Sequence, residues 1–460
     1  MDFVFYDLET SGISPAFDQP LQFAAIRTDE NLVERDRFQL RCRLAPHILP
    51  SPEALGITGV TADMLNDESL PSLFEFAQRL SKLIENWAPA IWTGYNSMKF
   101  DEEVLRQTFY QNLQPDVYAT QFNRNTRFDI LSVVHAVHSR APDLLAWPSG
   151  SDGRASFRLD RLAPENGFES HNAHDALGDV EATIHLARKI AQGDAELWAE
   201  LLENAHKSRV QAKLETFRPY ELAERFGDDE RRSCVGCFCG NSSEIGTQAG
   251  FFDLDAADPG DLAAASDDKL AEAVGSAPPI IRMIATNKAP PLMAMREPGA
   301  ERLRKSAFIA NSAEFRRRVG AALASRFAAN PDAPRPPVEK RIYRGFYSNK
   351  DKDLLHEFQR SDWPRRQEIV ASLSDPRLIQ LGRRLVAFHS PHMLSAGEAA
   401  RFNAYLREKW NADGESEPEW TTLEKARESI EKLRDKGATD PKTLDAIAAF
   451  VEARCAATAS

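Results

Sequence analysis

Four carboxylates and one histidine recur in three short signatures within the first 180 residues: Asp7 with Glu9, then Asp101, then His174 with Asp179. Carboxylate oxygens are hard ligands for divalent cations, and a pair of such cations can activate a water against a phosphodiester. A histidine, with an unperturbed pKa of about 6.5, suits taking a proton from that water near neutral pH. Each signature alone has a plainer reading. Asp7-Leu8-Glu9 also reads as a solvated strand end, Asp101 as a helix-start acid, and His174 as a capping or surface histidine. His171 keeps that plain reading. Three signatures in this order favour a metal site with an attendant base.

The flanking sequence supplies elements able to position these groups. Phe3-Val4-Phe5-Tyr6 is an apolar, β-prone run that reaches Asp7 without a turn signal, which predicts a buried strand. Alternation then puts Asp7 and Glu9 on one face, where they repel unless a cation lies between them. Ala90 to Tyr95 form a second apolar stretch. Beyond Asn96, the residues Phe100, Val104, Leu105, Thr108 and Phe109 follow a helical spacing. Asp101, Glu102 and Glu103 fall in its first turn, where negative charge complements the helix dipole. Ala176, Val180, Ile184, Ala187 and Ile190 form one apolar stripe, predicting a helix with Asp179 in its second turn. His174 lies just before or at the start of that helix.

Together these residues resemble the DEDDh exonuclease superfamily: Asp7 and Glu9 match its first motif, Asp101 its second, His174 and Asp179 its third. Gln19 to Asp29, Gly94-Tyr95-Asn96, Ser156 to Leu159, His171 to Ala176, Asn287 to Pro290 and Tyr343 to Ser348 resemble the exodeoxyribonuclease I family more closely. The match is densest in the first 190 residues and thin from about 205 to 280. Leu8 and Ser11 depart from aromatic residues often seen around the first motif, which bears on nucleotide stacking rather than on the chemistry. The resemblance implies an α/β ribonuclease H-like domain at 1–192, an SH3-like β-rich domain with helical insertions at 195–345, and a helical domain at 346–460. It also implies processive 3′-to-5′ hydrolysis of single-stranded DNA to 5′-mononucleotides, in DNA repair and recombination. Asp7, Glu9, Asp101 and Asp179 would hold two Mg²⁺, with Mn²⁺ as a substitute, roughly 3.5–4 Å apart. His174 would act as general base. Glu9 would also meet the substrate, Arg158 would bind the strand, and Arg106 and Arg127 are weaker candidates for such contacts. Implied partners are single-stranded DNA and the acidic, apolar-ended C-terminal tail of single-stranded DNA-binding protein, met by a monomer. The alternative is a proofreading or RNA-trimming exonuclease with the same catalytic set. Such chains are generally shorter, and the residues beyond 192 argue against it. An inactive scaffold would predict a broken carboxylate set, and all five positions are intact.

Composition agrees. At 460 residues the chain exceeds one ordinary core, so two to four domains are expected. No stretch approaches 18 apolar residues and no signal-peptide pattern opens the chain, so a cytoplasmic protein without a membrane span is expected. Five cysteines suit a reducing compartment. Cys234, Cys237 and Cys239 invite a zinc reading, but no second pair follows, and their alternation reads as a buried strand. The net charge of −12 is unusual for a DNA-binding protein. Residues 280 to 345, however, carry fourteen Lys or Arg against five acids. That segment reads either as a phosphate-tracking groove or as ordinary basic helix faces. Ala195 to Leu222 reads as a linking helix. Ser233 to Phe238, Gly250 to Leu254 and Pro279 to Thr286 read as short strands, with helices from Asp351 onward.

Overall fold

A computed structural model describes residues 1–150, 152–168, 175–223, 233–326, 335–412, 418–437 and 439–456. His171 and His174 lie outside the described residues. The first sheet has the order β3-β2-β1-β4-β5, from β1 (Asp2–Thr10), β2 (Pro20–Thr28), β3 (Glu34–Arg41), β4 (Ala90–Thr93) and β5 (Thr126–Arg127). β1, β2 and β3 pair antiparallel, whereas β4 runs parallel to β1 and β5 parallel to β4.

β1 is central and buried on both faces. Phe3 and Phe5 enter one core with Val180, Ile184, Ala187 and Ile190 of the helix Ala176–Gly193. Val4, Tyr6 and Leu8 enter the other, with the helices Leu73–Trp87 and Asp101–Gln111. The odd-numbered face of β1 thus changes from apolar to acidic at Asp7 without changing the helix that covers it.

A second, all-antiparallel sheet has the order β10-β6-β7-β8-β9. Its strands are β6 (Tyr220–Leu222), β7 (Cys234–Asn241), β8 (Gln248–Asp253), β9 (Ile281–Ala285) and β10 (Leu292–Ala294). The segment expected as one linking helix is instead Ala195–Leu202, a 3-10 turn at Glu203–Ala205, Lys207–Leu214 and then β6. Asn204 breaks the helix by donating its side-chain amide to the Leu292 carbonyl at 2.9 Å, and Leu222 pairs with Leu292 across the sheet edge. On β7, Cys237 and Cys239 pack into one core while Cys234 packs into another, as strand alternation requires. The three thiols do not converge.

From Asn349 the described chain is helical. It does not form an isolated core. Leu406, Trp410, Ile430, Ile447 and Phe450 pack with Leu21, Leu44, Ile48 and Leu55 of the first 65 residues. Leu355, Phe358 and Leu381 likewise pack with Phe74, Tyr110 and Leu113. Among the described residues, no helix is long and apolar enough to cross a membrane.

Candidate active site

Strand alternation and one covering helix assemble the acidic cluster. Asp7 and Glu9 stand opposite Ala24 and Gln22 in the β1–β2 register, and a bulge follows Glu9. Asp179 enters from the first turn of the helix Ala176–Gly193. Asp7, Glu9 and Asp179 each bring one carboxylate oxygen within 4.8 Å of the others.

Asp101 arrives from the end of β4. Gly94 permits the exit, because a Cβ there would lie 2.5 Å from the Tyr6 carbonyl oxygen. The loop is then shaped by Asp129, whose carboxylate accepts the amides of Asn96 at 3.0 Å and Met98 at 3.1 Å. Asn96 adopts a positive φ of 62°. Asp101 follows as the first residue of the helix Asp101–Gln111 and is buried.

Crowding buried carboxylates raises their affinity for protons. Burial, with the charges of Asp101 and Asp179 next, lifts the Asp7 carboxyl well above the usual range. Burial and the Asp179 charge push Glu9 up to about 8. Burial raises Asp101 to about 7, opposed by its own amide, with the Asp129 charge adding to the rise and the Leu8 amide opposing it. Arg41 is the cation that counters this at Glu9, and only in part. An all-oxygen, mutually repelling donor set, with Glu9 buried and Asp7 and Asp179 half-buried, fits a hard divalent cation.

The other anticipated residues fall differently. Arg158 caps the start of the helix Leu159–Glu165 with its side chain exposed, forked onto Asp160 at 3.0 and 2.8 Å. Its segment is fixed by Tyr95, whose hydroxyl donates to the Phe157 carbonyl at 2.5 Å. Arg106 and Arg127 are not strand-facing cations. Both are buried and both donate to one oxygen of buried Glu102. The reason is geometric: Glu102 lies four residues before Arg106 on the same helix, while β5 carries Arg127 alongside.

The basic segment is also partly neutralised. Arg302 pairs with Asp255, Arg304 with Asp258 and Glu301, Arg317 with Glu314, Arg318 with Asp267, and Lys340 with Glu419. Four of those acids lie outside residues 280 to 345, so acids from elsewhere in the chain offset part of the local excess of charge.

Two polar residues at the site escaped the sequence reading. Asp175 adds negative charge near Asp7 and Glu9 and accepts from the Gln22 side chain at 3.0 Å. Asp129 shapes the approach to Asp101, and its signal was an acid directly before an apolar helix.

A family model described as Exonuclease matches residues 4–187, and one described as Exonuclease I C-terminal domain matches residues 336–454. Exodeoxyribonuclease I of Haemophilus influenzae is 30% identical over 444 residues, 88% of this chain and 90% of that protein. The structure of E. coli exonuclease I in complex with a dA16 oligonucleotide is similar, with a TM-score of 0.85 and 27% identity over 98% of each chain. That of SSB/exonuclease I in complex with an inhibitor has a TM-score of 0.84 and 26% identity over 99% of each chain. Matched in fold along nearly its whole length, and in sequence across 88% of it, the chain belongs to the exodeoxyribonuclease I family.

Proposed function

We propose that this protein is a 3′-to-5′ exonuclease that degrades single-stranded DNA processively to 5′-mononucleotides, in DNA repair and recombination. The observation that carries this is the convergence of Asp7, Glu9 and Asp179 within 4.8 Å, with buried Asp101 repelling the same carboxylates. Asp7, Glu9, Asp101 and Asp179 would hold two Mg²⁺ ions, with Mn²⁺ able to replace them. When bound, such ions lower the pKa of water and offset charge developing on phosphorus.

The protein's own groups do the rest. Asp129 and Gly94 hold the Asp101 loop so that its charge bears on the β1 pair. Glu9 serves the ions and adjoins the substrate. His174 would take the proton of the attacking water, a task that imidazole chemistry suits near neutral pH. Arg158, exposed at a helix start, would exchange Asp160 for a strand phosphate, a swap between two bidentate acceptors. Arg106 and Arg127 are assigned no strand contact. Likeness to exonuclease I bound to dA16 supports the substrate class, and likeness to the SSB/exonuclease I structure supports capture of the SSB tail. A cytoplasmic monomer completes the reading.

The deciding experiment offers 5′-labelled single-stranded DNA, duplex DNA and RNA, each with Mg²⁺ or a chelator. Mg²⁺-dependent shortening of the single strand in one-nucleotide steps is expected, with blunt duplex resisted. Preferential trimming of RNA would replace this reading with the RNA-processing one.

A further inference from the structure

Immediately after Asp101 the chain places a buried charge cluster that the chemistry above leaves unused. One oxygen of Glu102 accepts from both Arg106 and Arg127. The Glu102 amide donates to the Ser97 carbonyl at 2.9 Å, closing the loop that delivers Asp101. Each arginine then reaches beyond the nuclease core. Arg127 Nη2 donates to the Asn287 carbonyl at 2.6 Å, in the loop between β9 and β10. Arg106 Nη1 donates to Glu103 at 3.0 Å and to the Tyr343 hydroxyl at 3.4 Å, and that hydroxyl donates to Glu103. Lys288 Nζ stands 4.0 Å from Glu103. Tyr343 belongs to the region matched by the C-terminal model. All three parts of the molecule therefore meet within a few bonds of Asp101.

We infer that Glu102 is a positioning residue for Asp101, and that its two arginines make this positioning depend on how the middle sheet and the C-terminal region are seated. The inference rests on the exonuclease reading of Asp101. Arginine suits the task because its planar fork serves two acceptors at once, which a lysine ammonium on a flexible stem does poorly. Among the described residues, neither Glu102 Oε2 nor Arg106 Nε has a hydrogen-bond partner. An incompletely satisfied buried network keeps one geometry only while its outer arms hold it. A strand engaging the outer regions thereby tightens the helix start that carries Asp101, and a substrate too short to reach them does not.

Three full-length variants test this: Arg127→Lys, which keeps a charge for Glu102 but loses the fork to Asn287, Tyr343→Phe, which removes only the bridging hydroxyl, and the double variant. Each is assayed on a long oligothymidine and on the p-nitrophenyl ester of thymidine 5′-monophosphate, which occupies the metal site alone. Hydrogen exchange of residues 97–105 is followed with and without the oligothymidine in chelator, and melting temperature is tracked throughout. The expected result is a fall in kcat of about tenfold on the long strand, as small misplacements produce. KM should stay level, ester turnover should fall by much less than kcat on the long strand, and strand-induced protection of 97–105 should be lost. A parallel fall on both substrates means generic packing, a rise in KM alone means direct strand contact, and no change means no coupling. Each of these overturns the inference. Should the unaltered protein cleave neither substrate, the exonuclease reading fails, and the exchange experiment still decides the coupling.

Discussion

At the residue scale Asp179 is proposed to hold a cation and His174 to take a proton, so their losses should differ in kind. Removing Asp179 takes one of three converging oxygens from the cation site, so Asp179→Ala should abolish nearly all hydrolysis while leaving fold and DNA binding close to intact. A positioned base contributes typically about 10²–10⁴-fold, so His174→Ala should retain more activity and recover part of it at higher pH. Turnover near that of the unaltered protein in Asp179→Ala would sink the ligand assignment. The same carboxylates govern stability. Glu9 at about 8 and Asp101 at about 7 both lie above their unfolded values of about 4. Between about pH 4 and 8 the metal-free fold therefore binds more protons than the unfolded chain, and its stability falls as pH rises. Ligands must be ionised to bind metal, so stabilisation by Mg²⁺ should grow over the same window. Thermal melts at about pH 5.5 and pH 8, with Mg²⁺ or chelator, check this. A larger metal-induced shift at the lower pH would contradict it.

The link between β4 and the helix Asp101–Gln111 is the weakest point of the site at the scale of elements. A Cβ on Gly94 would meet the Tyr6 carbonyl oxygen at 2.5 Å and Ser97 Cβ at 2.8 Å, and backbone cannot swing aside as a side-chain tip can. Gly94→Ala should thus cost about 1–3 kcal/mol, the usual range for forced overpacking. It should also weaken metal binding, because the displaced strand end carries Asp101. Urea denaturation and calorimetric titration with Mn²⁺ report the two effects separately. Loss of stability with unchanged metal affinity would show that the loop absorbs the strain before Asp101.

Shared cores make the whole molecule behave as one object. Cutting the chain near residue 192 would bare Leu21, Leu44, Ile48 and Leu55, now covered by Trp410, Ile447 and Phe450, along with Phe74, Tyr110 and Leu113. The 1–192 fragment should accordingly aggregate or bind a hydrophobic dye rather than persist as a distributive nuclease. A soluble fragment with a cooperative melt would refute this. In the intact protein, counterion release predicts long runs of cutting per encounter at low salt, shortening as salt rises. Counting nucleotides removed under a DNA trap across a salt series measures it. Because Arg302, Arg304, Arg317 and Arg318 are held by acids, their replacement should shorten runs little.

Local pattern determined a great deal. Alternation alone put Asp7 and Glu9 on one face of a buried strand, and the 3.6-residue stripe from Ala176 to Ile190 put Asp179 on a helix, which the fold then laid over that face. Both periods are properties of neighbouring residues, so they survive reading without a structure. Partners distant in sequence carry no such period. Glu102 claiming Arg106 and Arg127, Asp255 and Asp267 neutralising Arg302 and Arg318, and Asn204 breaking an expected helix to reach Leu292 are all decided by packing across tens of residues. His174, read from its motif, lies outside the described residues. The sequence determined which groups could hold a cation. Tertiary structure decided which charges remain available to a strand, because a charge is spent by whichever partner the fold brings within reach.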